Sequence, residues 1–278
     1  MIHGKENQPR KRGRPRGSGN SQAEDKGGVR ALDRALDLMD ILASEQGMTL
    51  SEIAQRMGLA PSTVHRVLTT LDARAVVESD PLTQAWHLGP TAFRYGSAFM
   101  RRSGLIERSR PVMRRLMELT GETANLGIRN GNAVLFIGQV ETHETIRAFF
   151  PPGTRSPLHS SGIGKALLAF VRPEVLRTFF HEAVLDRFTP TTLTERADLV
   201  ADLTETRARG YSIDNEERSP GMRCIAAPIF DMFGEPVAGI SVSGPSHRMT
   251  EARLSDIGSA VVEAARALSL SGPAEDNF

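Results

Sequence analysis

The sequence predicts an α+β protein: short helices and one hairpin at the N-terminal end, then a longer region of antiparallel sheet with flanking helices. Three observations carry this. Residues 49–71 hold the start, stop and turn signals of two short helices in succession. Beyond Gly121 the pattern changes to strand-like runs, and Asn130-Gly131 between residues 123–128 and 133–140 is the strongest hairpin signal in the chain. Strand-like runs and helices are then interspersed without a regular β-α-β alternation, which favours antiparallel pairing. The 278 residues suggest two domains, since domains typically take about 100–200 residues each.

Composition narrows the class. Forty per cent hydrophobic residues is ordinary for a soluble protein with a sizeable core. The single cysteine, Cys224, excludes an intrachain disulfide and fits a reducing, cytoplasmic setting. No apolar run approaches the roughly 20 residues that span a bilayer, and the basic N-terminus has no apolar stretch behind it, so no secretory signal is expected. The net charge of +1 conceals an asymmetry: residues 1–30 carry eight Lys/Arg against three acids, so the head holds +5 and the remainder −4. A basic arm on a mildly acidic body is a nucleic-acid-binding layout.

Taken in order, residues 1–27 are polar, Gly-rich and aperiodic, and are expected to be disordered in isolation. Within them Lys11-Arg12-Gly13-Arg14-Pro15-Arg16-Gly17 resembles an AT-hook, in which Arg14 and Arg16 would enter the minor groove of A·T-rich DNA. A solubilising or nonspecific phosphate-binding tail would carry the same residues. Leu32, Ala35, Leu36, Met39 and Leu42 then follow a helical period over residues 29–43.

The helix pair comes next. Thr49 and Glu52 form a capping-box pattern that starts a helix, Gly58 supplies the left-handed residue that ends it, and Pro61 suits the first turn of a second. Val64, Val67, Leu68 and Leu71 make one apolar face of that second helix. Two short helices across a tight Gly turn read as a helix-turn-helix. Ser62, Thr63, His65, Arg66, Thr69 and Thr70 are then left for the surface that such a motif lays in a DNA major groove. The bland alternative is a helical hairpin inside some core.

Short strands at 75–78 and 85–88, joined through an Asp80-Pro81 turn, complete a winged helix-turn-helix. Trp86 is read as a wing–helix packing residue in preference to a base-stacking platform, because wings mostly touch phosphates and sugars. Gly89-Pro90 ends this domain. Residues 91–101 form a connecting helix, and residues 106–119 a longer one with a bend or fresh start near Pro111; its methionines are soft core fillers. After the 123–140 hairpin, a third strand is expected at 145–150 and helices at 164–170 and 195–209. Strands follow at 211–214, 224–230 and 237–243, and a helix over 251–270 capped by Thr250 closes the chain.

Four blocks in order resemble the IclR-type bacterial transcriptional regulators: Leu158-His159-Ser160-Ser161-Gly162-Ile163-Gly164-Lys165-Ala166-Leu167-Leu168-Ala169, Gly210-Tyr211-Ser212-Ile213-Asp214-Asn215-Glu216-Glu217, Cys224-Ile225-Ala226-Ala227-Pro228-Ile229-Phe230, and Ser241-Val242-Ser243-Gly244-Pro245. The resemblance covers residues 28–270. Behind the basic arm of residues 1–27, it implies a winged helix-turn-helix domain over 28–89 and a linker helix over 90–103. A GAF-like effector-binding and oligomerisation domain over 104–272 and a tail over 273–278 follow. It also implies dimers or dimers of dimers on a palindromic operator. Met113-Arg114-Arg115-Leu116-Met117, Gly121-Glu122-Thr123, Ile128-Arg129-Asn130-Gly131-Asn132, Ile137-Gly138-Gln139 and Phe188-Thr189-Pro190-Thr191-Thr192-Leu193 further resemble the glyoxylate-responsive subgroup, whose best-known member represses allantoin utilisation. That narrower resemblance implies control of glyoxylate, glycolate or allantoin genes, with effector contacts at Ser161, Gly162, Ile163, Asp214, Cys224, Ser241, Val242 and Ser243. Ile163 departs from the smaller residue of the subgroup, which implies an altered pocket size. Another small carboxylate or an aromatic acid is the alternative effector.

These residue types suit a small 2-oxo acid. Free N–H groups at the start of the helix after Ser160 can hold a carboxylate without an arginine, and the serine hydroxyls donate or accept. Asp214 would repel an anion, so it makes sense as an acceptor from a hydroxyl such as that of a hydrated aldehyde; alternatively it is a strand-end residue bonded to backbone. Cys224 reads equally as a small buried strand residue. No catalyst is expected. Gly164-Lys165 lacks the flanking residues of a P-loop, no G-x-S-x-G occurs, and the seven histidines are scattered without metal-ligand spacing. Nor is a cofactor expected beyond the effector. An architectural DNA binder without a sensor is disfavoured by the large apolar-cored second domain.

Overall fold

The computed structural model describes residues 29–45 and 47–272. The basic arm, with Arg14 and Arg16, and the tail 273–278 lie outside the described residues. The chain divides into two compact units between Ala98 and Phe99.

The first unit contains α1 (Arg30–Ser44), β1 (Met48–Thr49), α2 (Leu50–Met57), α3 (Pro61–Asp72), β2 (Val77–Ser79), β3 (Ala85–Leu88) and the beginning of α4 (Pro90–Ser103). Both halves of the capping box form: Glu52 N donates to the Thr49 hydroxyl and Thr49 N donates to the Glu52 carboxylate at 2.8 Å. Gly58 takes the left-handed conformation, φ 62°, and Pro61 opens α3. Leu38, Leu42, Ile53, Ala54, Val64, Leu68 and Val77 bury a small core, with Trp86 packed on its flank. The predicted two-stranded wing is a three-stranded sheet in the order β1-β3-β2, because Met48 and Thr49 pair with Trp86 and Ala85. The strand predicted from residue 75 starts at Val77, since Ala75 is spent on a left-handed turn, φ 52°, after α3.

The second unit contains α5 (Leu105–Thr120), β4 (Thr123–Asn130), β5 (Ala133–Val140), β6 (Arg155–Pro157), a 3-10 turn (Leu158–Ser160) and α6 (Gly162–Leu168). There follow α7 (Pro173–Glu182), α8 (Arg196–Arg209), β7 (Ser212–Asn215), β8 (Met222–Phe230), β9 (Pro236–Pro245) and α9 (Glu251–Leu268). The sheet is six-stranded, in the order β6-β5-β4-β9-β8-β7, with every pairing antiparallel. Side-chain alternation sorts its two faces. Ala124, Leu126, Ile225, Ala227, Ile240 and Val242 face α5 and α9 in one core. Val134, Phe136 and Ala226 face α6, with α7 and α8 outside it, in another.

In this unit three predictions need correction, and one helix is absent from the prediction. Residues 145–150 form no strand. The free edge of β5 is taken instead by the segment after Pro151-Pro152-Gly153, through Phe136 N to Thr154 O (2.9 Å) and the β6 ladder. Phe150 stacks on Phe136 from outside the sheet, ring centroids 5.0 Å apart. α5 runs unbroken through Pro111, so no fresh helix starts there; the ring removes one N–H without ending the helix. Thr250 takes an extended N-cap conformation, yet its side chain makes no capping bond among the described residues. Finally, α7 is not among the predicted elements, although Pro173 at its first position is a start signal.

Candidate DNA-reading face and effector site

In α3 the apolar residues Val64 and Leu68 are fully buried, which turns Ser62, His65, Arg66, Thr69 and Thr70 to solvent; Thr63 is half-buried. Two of these are less available than their types suggest. The Thr69 hydroxyl donates to His65 O (2.9 Å) and that of Thr70 to Arg66 O (2.8 Å). Their protons are therefore committed to the helix, leaving acceptor lone pairs and methyl groups. A groove of about 750 Å³ runs between this face and α1, lined by Arg34 and Ala35 as well as by Thr63, His65, Arg66, Thr69 and Thr70. Arg34 is not among the predicted residues; it sits on α1, where nothing in the sequence marks a groove.

The proposed effector residues lie on the α6 side of the second unit's sheet. Register places Cys224 beside Ser243 and Asp214, and Ala226 beside Ser241. Gly162, at the first position of α6, lies directly over this row: a Cβ there would come 2.6 Å from the Cys224 sulfur. Glycine is what permits that approach. Ser161 is the N-cap of α6, accepting from Gly164 N at 3.1 Å. Ile163 fills a notch left by two glycines of the sheet; a Cβ on Gly239 would meet it at 2.7 Å and one on Gly127 at 3.3 Å. Val242 is the exception. It points to the opposite face and joins the α5–α9 core, so it offers this site only its backbone.

The site is polar and buried. The Ser160 hydroxyl is buried with no hydrogen-bond partner among the described residues, and that of Ser241 has only the weakly bonding Cys224 thiol beside it. Ser243 Oγ accepts from Asn125 Nδ2 at 3.3 Å, and Asn125 Oδ1 accepts from Gln139 Nε2 at 3.1 Å, extending the polar row across β4 to β5. Burial pushes the Cys224 thiol up to about 11, with the Asp214 carboxylate adding to it; it is a neutral thiol here, not a nucleophile. Burial, and next the Glu217 carboxylate, raise the Asp214 carboxyl to about 7.

Beside Asp214 lies a group of charges that sequence reasoning missed. Lys165 of α6 is fully buried, and its ammonium donates to Ile213 O and Glu217 Oε1, both at 2.6 Å, with Asp202 Oδ2 at 3.2 Å. Lys165 and Glu217 stand inside the motif blocks, but a lysine read from sequence alone defaults to the surface. Asn125 and Gln139 carry no sequence signal beyond their polarity on otherwise apolar strands. Among the described residues no cluster of His, Cys, Asp and Glu could hold a metal ion, and no helix is long and apolar enough to cross a membrane.

Two family descriptions match the chain: "IclR helix-turn-helix domain" over residues 31–81 and "Bacterial transcriptional regulator IclR C-terminal" over residues 97–270. The HTH-type transcriptional regulator BhcR of Paracoccus denitrificans (strain Pd 1222) is 70% identical over 263 residues, 94% of each chain. The HTH-type transcriptional repressor AllR of Escherichia coli (strain K12) is 40% identical over 261 residues, 94% of this chain and 95% of its own. Among solved structures, an IclR homologue complexed with 4-hydroxybenzoate from Microbacterium hydrocarbonoxydans has a TM-score of 0.74 at 26% identity, covering 86% of this chain and 97% of its own.

Proposed function

The chain belongs to the IclR family of bacterial transcriptional regulators, and from that membership we propose that it senses a small 2-oxo acid, glyoxylate, and adjusts its affinity for a palindromic operator accordingly. It is a regulator and not an enzyme. The observation that carries the ligand reading is the buried Ser241 hydroxyl, whose only polar neighbour on this face is the Cys224 thiol, set beside Ser243 and the Gly162 backbone. A thiol is a weak hydrogen-bond partner, and a buried hydroxyl left under-satisfied costs up to about 1–3 kcal/mol, which a ligand's carboxylate or carbonyl oxygen would recover. α6 has only seven residues, so directed N–H and O–H groups, and not a long helix dipole, would hold the anion.

In this reading α3 docks in the major groove through Ser62, His65 and Arg66, with Thr63, Thr69 and Thr70 as secondary contacts, and Arg14 and Arg16 follow the minor groove. A symmetric dimer, or a dimer of dimers, places recognition helices on half-sites about 34 Å or a multiple apart. The protein works in the cytoplasm, on the nucleoid when operator-bound, and controls genes of glyoxylate, glycolate or allantoin metabolism. Titration calorimetry of the full chain tests the ligand: heat with glyoxylate supports it, and silence with both glyoxylate and pyruvate overturns it. The 4-hydroxybenzoate complex of the Microbacterium homologue favours a second reading, an aromatic acid in the same place. Heat with 4-hydroxybenzoate and none with glyoxylate would select that reading.

A further inference from the structure

Lys165 donates two hydrogen bonds, to Ile213 O and Glu217 Oε1, and forms an ion pair with Asp202 Oδ2 at 3.2 Å. Asp202 is shared with Arg209, whose guanidinium lies 3.9 Å from its other oxygen. Glu217 in turn is anchored to Asp214, because its own N–H donates to Asp214 Oδ1 at 2.8 Å. Asp214 is 7% exposed. The remaining titratable or charged neighbours are Cys224, paired opposite on β8, and Arg218, whose backbone N–H donates to the Asp214 carboxyl while its guanidinium lies over the Phe188 ring, 4.0 Å from the centroid. Half-buried Glu216 accepts from Gly221 N at 2.7 Å and is engaged outward. His159 is bonded to Asp186 O at 3.0 Å and is held neutral by burial. Each cation in reach thus has another engagement, and among the described residues Asp214 has no counter-ion of its own.

We infer that Lys165 and Glu217 are positioning residues for the effector site: they fix the Asp214 carboxyl between α6 and β8 and, by pairing with each other, leave it to carry a proton that it can donate to an anionic ligand. This rests on the effector reading above for the identity of the ligand, but not for the charge control. It also resolves why a carboxyl stands where an anion is to bind. A neutral carboxyl donates one O–H···O bond to the ligand carboxylate instead of repelling it. The two positioning residues act with opposite sign. Removing the Glu217 charge relieves Asp214 of a nearby like charge, whereas removing the Lys165 charge strips away the attraction that favours its ionised form.

The sign for the ligand-free protein follows by linkage. An Asp214 carboxyl held near 7 in the fold and near 3.8 when unfolded means that the native state binds the extra proton between those values. Stability therefore falls as pH rises through that window and levels off above it. Thermal midpoints of the full chain should be followed from about pH 4 to pH 8 for wild type, Glu217→Gln, Lys165→Met and Asp214→Asn, with Lys165→Arg as the charge-keeping control. Asp214→Asn removes the Asp214 share of the fall and leaves that of Glu217, whose carboxyl burial also raises. Glu217→Gln moves its upper end to lower pH and Lys165→Met moves it to higher pH, each by about one unit, while Lys165→Arg stays near wild type. Should Lys165→Met not fold, Glu217→Gln against Asp214→Asn still decides. Shifts in the same direction, or a profile that Asp214→Asn leaves unchanged, overturn the proposal. Calorimetry with glyoxylate in two buffers of different ionisation heat adds the ligand arm, where net proton uptake is expected above pH 7. Silence there with the pH shifts intact defeats the ligand and leaves the charge control standing; binding without proton uptake defeats the proton's role.

Discussion

On the proposed effector reading, Ser241 separates stability from sensing within one side chain. Its hydroxyl is buried with only the Cys224 thiol as a weak partner, so Ser241→Ala removes a group whose desolvation is poorly offset in the free protein. The thermal midpoint should hold or rise, by up to about 1–3 kcal/mol of stability, while effector affinity measured by calorimetry falls; reduced stability with unchanged affinity would contradict this role. Arg66 is the counterpart on the output side. If it makes a bidentate base contact, Arg66→Ala costs about 1–3 kcal/mol and relaxes one operator position, which a gel shift against an operator series reads directly. The serines, Asp214 and Cys224 are legible through the ordered motif blocks, because alternation along β8 and β9 then puts Cys224, Ser241 and Ser243 on one face. The same alternation sends Val242 to the other face, which the block alone does not convey. Lys165 stays hidden in the sequence, since its burial depends on acids 37 to 52 positions away: Asp202 and Glu217.

Local chemistry decides which elements can be read. The α2–α3 pair is predicted to the residue at its caps because Thr49, Glu52, Gly58 and Pro61 act on their immediate neighbours. Thr49→Ala tests how much of the pair depends on that cap. It should cost about 0.5–2 kcal/mol, visible as a lower thermal midpoint of the first unit and as weaker operator binding with unaltered sequence preference. A change of preference would instead make Thr49 part of the reading surface. Elements that depend on partners are less legible. Residues 145–150 have strand-forming side chains, yet Ile146 and Phe149 are each 63% exposed because residues 153–157 already occupy the edge of β5. β1 is two residues long and exists only through its pairing with Trp86 and Ala85. The proline of α5 gives a local signal for a break, and the packing of Ile106, Met113 and Leu116 on the sheet outweighs it.

At the scale of the molecule, the residues proposed to sense the effector and those proposed to read DNA lie in separate compact units, divided along the chain between Ala98 and Phe99. For the second to control the first, the effector must bind one state of the oligomer more tightly than another, and the operator must do the same; their coupling is then reciprocal. Operator DNA should therefore change the affinity for glyoxylate by the same factor as glyoxylate changes the affinity for DNA. The charge distribution adds a contribution that the effector need not control. With +5 in residues 1–30 and −4 in the remainder, most of the favourable long-range attraction to DNA is assigned to the arm. Each phosphate that the arm neutralises adds about 0.9 to the slope of log affinity against log salt. Deleting residues 1–27 should flatten that slope by about 0.9 for every phosphate the arm had neutralised, and weaken binding most at low salt, while the fold change produced by the effector stays the same. Equal slopes for the two proteins would place the arm off the DNA. An altered effector response would make the arm part of the switch, and the division between a constant electrostatic hold and a regulated α3 contact would have to be abandoned.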